Sequence, residues 1–410
     1  MKNFLARTWA EINLDNIISN INVVKSRTKD TTKIMSVVKA DAYGHGVKYI
    51  APLLSDLSDW FAVSNIEEAL QLRGFGNNYP RAESAEEAKI YSQGIIRKPV
   101  LILGYTPQDM AEQIYINGFT QTVFSLEYAE KLSKVCNNKI DIHIKIDTGM
   151  SRLGFMAHRE DEILPLCENI SEINTLPNLN ITGIYTHFPS ADFDGDVDGI
   201  FTKKQYELFS NICNITEQKI GKKILKHCCN SAGVLNFPEF QMDMVRPGIM
   251  LYGLHPAGEI CEDLKPAMSL KSVVSMVKTI KKGDTVSYGR TFLAQRDMTV
   301  ATIPIGYADG YVRALSGKAK MLVNGKYADV LGRVCMDQTV IDVSDIFVKQ
   351  GDEVTVFGGG LSIDEISRIA GTINYETVCL VGKRVPRIFY KSGAPVGEIN
   401  YILESGSVKY

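Results

Sequence analysis

The chain has 410 residues, 45% hydrophobic and 22% charged, with a formal net charge of −2. That balance excludes a nucleic-acid binder, because the lysine pairs Lys203-Lys204 and Lys281-Lys282 are isolated and no domain-wide basic excess exists to neutralise phosphates. No apolar run is long enough to span a bilayer, and residues 1–12 lack the apolar core of a signal peptide, so a cytoplasmic chain without a membrane partner is expected.

After a first strand at Thr8–Leu14, short β-branched runs alternate with amphipathic helical patterns. The predicted strands are Ile34–Lys39, Trp60–Val63, Val100–Gly104, Gln121–Ser125, Ile140–Asp147, Ile181–His187, Ile224–Ser231 and Met244–Tyr252. Ser64…Glu67, Ser84…Glu87 and Thr202…Gln205 have capping-box spacing at helix starts. The second unit is irregular, with a loop from Gly74 and an extra helix over Ser84–Gln93. Eight βα units in succession predict an α/β chain with a (β/α)8 TIM-type barrel over 15–265, an open doubly wound sheet being the structural alternative.

The acidic loop Asp192–Asp198 lacks the terminal glutamate of a calcium loop and is expected to be solvated. Neither it nor the eight cysteines, which show no C-x-x-C pair, forms a metal-ligand set, and the thiols are expected to be reduced and buried, Cys136, Cys213 and Cys379 among them. Beyond Lys265-Pro266 strands dominate: Leu270–Ile280, Asp284–Tyr288, Met298–Ile305, Met321–Val334, Thr339–Val343 and Glu353–Phe357. Asn324-Gly325 is a two-residue hairpin signal, one helix runs over Ser362–Ala370, and two strands close the chain. This gives a mainly β carboxyl-terminal domain at 266–410, with residues 1–14 expected to pack against it.

Barrel enzymes work at the carboxyl ends of their strands. Lys39 ends the first predicted barrel strand, where a lysine is either a snorkelling surface residue or a nucleophile of lowered pKa. The fifth strand presents His143, Lys145 and Asp147, then Arg152; the sixth ends in His187, the seventh in Asn230-Ser231-Ala232, and the eighth carries Arg246 and Gly248-Ile249. Any one of these could be structural, but five such strand ends together point to a site. Backbone N–H groups and a hydroxyl after strands seven and eight form a phosphate cup, and a strand-end lysine facing it suggests a Schiff base with pyridoxal 5′-phosphate (PLP).

Val38-Lys39-Ala-Asp-Ala-Tyr43-Gly-His-Gly46 resembles the PLP-lysine motif of bacterial alanine racemases. Further resemblances follow in the same order: His143-Ile-Lys145-Ile-Asp147-Thr-Gly-Met-Ser-Arg152, Thr186-His187-Phe, Val245-Arg246-Pro-Gly248, Val286-Ser-Tyr288-Gly, Pro304-Ile-Gly-Tyr307, Gly332-Arg-Val-Cys-Met336-Asp337 and Ile373-Asn-Tyr375-Glu. The resemblance implies a two-base interconversion of L-alanine and D-alanine that supplies peptidoglycan. Lys39 would be one base and Tyr288, from the partner of a homodimer, the other.

It further implies that Tyr43, Ser231, Gly248, Ile249 and Tyr375 hold the cofactor phosphate, that Asn230 and His187 also belong to the cofactor site, and that Arg246 faces the pyridine nitrogen. Arg152 and the backbone at Met336 would contact the substrate carboxylate or the cofactor's phenolic oxygen, Tyr307 with Tyr375 would narrow the entrance, and Lys145 would be either carbamylated, as in some relatives, to brace Arg152, or an unmodified lysine. Thr377-Val378 replaces the more usual Val-Pro. The rival readings are a broad-specificity or serine-preferring racemase, a related decarboxylase and a non-catalytic PLP carrier; the last two leave the Tyr288 motif without a use.

Overall fold

A computed structural model describes residues 7–74, 96–256 and 262–404. The extra helix expected over Ser84–Gln93 lies outside the described residues.

Eight strands run Lys33–Val37, Trp60–Val63, Val100–Ile102, Phe119–Val123, Ile140–Asp147, Leu179–Tyr185, Leu225–His227 and Met244–Val245, the first seven pairing parallel in succession. The last returns to the first through Met244↔Lys33, while Asp243 N donates to Lys226 O (3.0 Å) and Arg246 N to Cys229 O (2.9 Å), so the sheet closes into a barrel. Strand residues such as Ile142, Ile144 and Ile184 are fully buried, as a sheet covered on both faces requires.

Four expectations need correction. The eighth strand stops at Val245, because Pro247 has no N–H to continue a ladder, and Ile249–Tyr252 turns into a 3₁₀ helix. Thr202 does not cap its helix: Ile200–Ile220 begins two residues earlier, and its first N–H groups are held by Asp196, whose carboxylate accepts Phe201 N (2.8 Å) and Thr202 N (2.9 Å). Asp196 is therefore buried, although it belongs to the acidic loop expected to be solvated. The cap near Ser64 falls on Asn65, whose Oδ1 accepts Glu68 N at 2.9 Å.

Residues beyond the barrel build a ten-stranded sheet that also takes in the amino-terminal strand Thr8–Asn13, antiparallel to Met268–Val273 and parallel to Arg387–Lys391. The helix Leu14–Ser26 then turns Ile17, Ile21 and Val24 inward at helical spacing, each fully buried and each adding about 1.5–3 kcal/mol of burial. The predicted Leu270–Ile280 strand divides into Met268–Val273 and Met276–Ile280, since Val274 N donates to Asp352 O while Ser275 N turns to Thr302 O. Asn324 and Gly325, at φ of 46° and 76°, make the expected hairpin between Lys320–Val323 and Lys326–Leu331. Barrel and sheet share one continuous apolar core.

Candidate active site

Lys39 opens a short helical turn just past the first barrel strand rather than ending that strand. Ala40, Asp41, Ala42 and Tyr43 have φ of 52°, 56°, 55° and 52°, a run of four non-glycine residues in the left-handed region. At roughly 1–2 kcal/mol per residue the turn holds about 4–8 kcal/mol of backbone strain, which persists only where surroundings over-determine it. The Glu68 carboxylate accepts Ala40 N (2.8 Å) and Ser64 N (2.7 Å), and His45 Nδ1 donates to the carbonyls of Tyr43 (2.9 Å) and Ala42 (3.1 Å). Burial and the charge of Arg152 lower the Lys39 pKa, outweighing Glu68 and Cys379, which act to raise it. The amine is thus moved toward its nucleophilic form.

Behind Lys39 the turns after strands seven and eight meet. Ser231 Oγ accepts Gly248 N at 2.8 Å and Met250 N at 3.4 Å, so one hydroxyl ties them together. A Cβ on Gly248 would lie 2.6 Å from the Tyr43 hydroxyl, so only glycine admits that ring here. Tyr43 packs on Tyr252 (4.9 Å between centroids) and lies 6.2 Å from Tyr375, on the helix Asn374–Cys379. Burial raises the pKa of both Tyr43 and Tyr375, keeping them hydrogen-bond donors, and neither hydroxyl donates to any described group of the chain. Two convergent phenols beside the Gly248–Ile249 backbone fit the phosphate of PLP. Asn230 acts indirectly: its side chain accepts Gly233 N (2.9 Å) and donates to Phe188 O (3.0 Å), fixing the Ser231 turn.

Arg246 is buried and bound on one side. Its NH2 donates to Thr186 O (2.7 Å) and Cys228 O (3.0 Å) and reaches His187 Nδ1 at 3.4 Å, while NH1 meets His227 Nδ1 at 2.8 Å. A guanidinium only donates, so His227 Nδ1 accepts and Nε2 carries its proton. That proton goes to His143 Nδ1, 2.9 Å away, leaving the His143 proton on Nε2. All three imidazoles are kept neutral by burial and by Arg246; His143 is lowered to about 3. Arg246 Nε–H has no partner among the described residues, which suits a ring nitrogen that accepts but is not protonated. Tyr185 floors the cluster, stacked on His227 (4.8 Å) with Arg246 5.2 Å and Lys145 5.4 Å from its ring centroid.

Arg152 is exposed at the barrel mouth, on a loop organised by Asp147. Asp147 Oδ1 accepts Gly149 N, Met150 N and Ser151 N at 2.9–3.0 Å, and Oδ2 accepts Arg152 N at 3.0 Å. Burial alone would push this carboxyl up, but those N–H groups, His158 and Lys145 outweigh it and its pKa is lowered. Lys145 is buried and lowered to about 7, because desolvation and the charges of Arg246 and Arg152 exceed the pull of Asp147.

The remaining predicted residues gather on the β domain. Tyr288 sits on a 3₁₀ turn between the short strands Thr285–Val286 and Phe292–Leu293, after Ser287 at φ 65°, and is 71% exposed. Tyr307 N donates to Cys335 O and Ala308 N to Met336 O, so Tyr307 and Met336 are neighbours, both exposed. Ser287 Oγ donates to Arg333 O at 2.5 Å and joins Tyr288 to the same group. Among the described residues no hydrogen bond, ion pair or ring contact links these three to the barrel cluster. The chain therefore presents two halves.

Glu68, Tyr185 and His227 were not singled out from sequence as site residues. Only His227 carried a usable signal, a histidine inside a buried strand three residues before Asn230. Cys379, expected inside, is exposed and close enough to Lys39 to influence it electrostatically.

The family model for the amino-terminal domain of alanine racemases matches residues 12–256, and that for the carboxyl-terminal domain matches residues 267–389. Alanine racemase 1 of Clostridium acetobutylicum is 41% identical over 96% of this chain and 98% of its own. Among solved structures, the alanine racemase of Clostridium difficile 630 is 36% identical with a TM-score of 0.84, covering 98% of this chain and 100% of that one. The enzyme of Bartonella henselae, with covalently bound pyridoxal phosphate, is 29% identical with a TM-score of 0.80 over 94% and 100% of the two chains.

Proposed function

The chain belongs to the alanine racemase family and is a PLP-dependent enzyme that interconverts L-alanine and D-alanine; we propose that Lys39 and Tyr288 are its two proton carriers. The observation that carries this reading is the split site: a half-buried lysine of lowered pKa in the barrel, and a tyrosine displayed at a hairpin tip of the β domain. When bound, the cofactor withdraws electrons from the substrate Cα and makes its C–H bond acidic. Tyr43, Tyr375, Ser231 and the Gly248–Ile249 backbone would hold its phosphate end, with Asn230 fixing the cup, and Arg246 beside His187 would hold its ring end.

Inversion needs carriers on both faces of Cα: one takes the Cα proton as that C–H bond breaks, and the other delivers its own proton to the opposite face. Lys39 Nζ serves one face and Tyr288 Oη the other. A phenol loses its proton only near pH 10 in water, so Tyr288 needs a positive field, and Arg152, Arg246 and Lys39 supply one at the barrel mouth. Arg152 would bind the substrate carboxylate with the Met336 backbone, while Tyr307 and Tyr375 would favour a methyl side chain over larger ones. Lys145 would brace Arg152 as a carbamate, its neutral amine adding carbon dioxide with loss of a proton.

We infer a homodimer in which each barrel receives Tyr288 from its partner. Val197 and Ile200 at the barrel mouth are 78% and 68% exposed, and Leu293 and Met336 on the β domain are 50% and 51% exposed, two apolar faces that a two-fold axis would join. The division into 15–265 and 266–410, with residues 1–14 joining the second, is likewise our reading, supported by the strand pairings. Supply of D-alanine to peptidoglycan follows from the proposed activity. Among the described residues no helix is long and apolar enough to cross a membrane.

The test is incubation of PLP-loaded protein with L-alanine, and separately L-serine, in D₂O, following optical rotation and Cα deuterium. Loss of rotation with deuteration for alanine and little for serine is expected; a bound chromophore with neither signal would overturn the reading. Mixing Lys39→Ala and Tyr288→Phe subunits tests the dimer. Mixed dimers contain one intact site if sites are shared, and random pairing returns about a quarter of wild-type activity; no recovery would refute sharing.

A further inference from the structure

The strained turn that carries Lys39 and Tyr43 is not held by the barrel alone. Asp41, at its centre, accepts Val47 N through Oδ1 (2.8 Å), and through Oδ2 it accepts the hydroxyl of Tyr401, from the terminal helix Tyr401–Glu404. Gly44 O, which ends the turn, accepts Arg387 Nε at 3.0 Å. Arg387 is buried, donates also to the carbonyls of Gly382, Val385 and Val381, and lies 5.3 Å from the Tyr401 ring centroid. Packing presses from the same side: a Cβ on Gly44 would lie 2.5 Å from Val378 O, and one on Gly46 would lie 2.8 Å from the Phe389 ring. Partners 343 and 360 residues away thus hold Gly44 and Asp41, the end and the middle of the turn after Lys39.

We propose that Tyr401 and Arg387 are positioning residues for the Lys39–Tyr43 turn of their own subunit, so that the end of the chain sets how firmly the cofactor is held. A left-handed run of four non-glycine residues has no intrinsic reason to persist. Glu68 ties its amino-terminal end, His45 its carbonyls and Arg387 its last residue; Tyr401 ties the middle, through the side chain of the one polar residue there. Removing the Tyr401 hydroxyl leaves its ring and the Arg387 contacts in place. The loss therefore falls on the turn rather than on the fold. The inference rests on Lys39 and Tyr43 being the cofactor's anchors.

The experiment follows release of PLP from diluted holoenzyme by its fluorescence, for wild type, Tyr401→Phe, Asp41→Asn and the double variant. Tyr401→Phe should bind PLP about tenfold more weakly, the scale of one hydrogen bond to a charged group, with the melting temperature of the PLP-free chain unchanged. The double variant should be no worse than Asp41→Asn, because both changes remove the same bond. Wild-type retention of PLP by Tyr401→Phe, or effects that add in the double variant, would overturn the proposal. If Tyr401→Phe does not fold, Asp41→Asn decides alone: PLP release as slow as wild type overturns it. Borohydride trapping of the cofactor on Lys39, read by mass spectrometry, separates the premise: an adduct that persists in Lys39→Ala would remove the anchor assignment, whatever Tyr401→Phe does.

Discussion

Replacing Asp147 by alanine tests how the substrate end of the site is built. Its carboxylate is almost fully buried and accepts four consecutive backbone N–H groups, from Gly149 to Arg152, at 2.9–3.0 Å. A hydrogen bond to a charged group contributes about 1.5–3 kcal/mol, but freed loop N–H groups regain water, so the expected loss is about 3–5 kcal/mol rather than the sum. That is a large share of the roughly 5–15 kcal/mol by which a domain is stable. Asp147→Asn keeps one oxygen, able to serve the three N–H groups from Gly149 to Ser151, and sets an amide against Arg152 N; about 1–2 kcal/mol is expected.

Urea unfolding followed by circular dichroism measures both losses, and KM for alanine should rise at least about tenfold in Asp147→Ala, because Arg152 loses its fixed backbone. The native pKa of Asp147 lies below its ordinary 3.8, so its contribution is complete above that value and is lost as pH falls through the native one; the advantage over Asp147→Asn should shrink there. A loss below about 1 kcal/mol with unchanged KM would refute the reasoning.

Tyr288→Phe should lower kcat by at least about a hundredfold and leave PLP bound, since the side chain is 71% exposed in its own chain; near-normal turnover removes Tyr288 as a proton carrier. His45 and His143 are buried neutral with pKa values lowered to about 4 and about 3, below the 6.5 of an exposed imidazole, so the unfolded chain binds more protons between these limits and stability falls as pH drops below 6.5. Each should cost about 2 kcal/mol between pH 6.5 and 5, and flat urea midpoints over that range would contradict it. Lys145, lowered to about 7, is largely neutral at pH 8 and should give a ¹³C carbamate signal under labelled bicarbonate that disappears in Lys145→Gln. Gly183→Ala should destabilise by about 1–3 kcal/mol, because its Cβ would lie 2.5 Å from the ring of His143, which His227 and Trp60 hold in place; an unchanged melting temperature would count against that packing.

Much of this arrangement was legible from sequence because chemistry and periodicity coincide at strand ends. Ile140–Asp147 and Trp60–Val63 were read to the residue, their apolar runs being bounded by polar loops on both sides. What escaped was set by contacts across the fold. Nothing in Ala40-Asp-Ala-Tyr43 signals a left-handed turn, since these residues avoid it alone and adopt it only between Glu68, His45 and Arg387. His227 was invisible as the partner of Arg246 because their pairing depends on barrel closure. Asp196 was read as solvated because a carboxylate-rich loop looks alike whether its charges face water or cap a helix, and only the start of the helix at Ile200 distinguishes them.

The charges at the barrel mouth explain why the pieces divide as they do. Lys39, Arg152 and Arg246 converge there, and the two nearby carboxylates, Glu68 and Asp147, are committed to backbone N–H groups. The imidazoles add no charge, because burial first and then the cations around them hold His187 and His227 neutral. A cradle of net positive charge suits a phosphate and a carboxylate, and it also lowers the pKa of any acid brought near it. Lys39 therefore gains as a base by losing its proton easily, but a second base supplied from within this crowded cluster would have to be another cationic group competing for the same field. A phenol is neutral until it gives up its proton and then gains from every cation around it. Carried at an exposed hairpin tip, Tyr288 is suited to meet that field from outside, on the face that Lys39 does not cover.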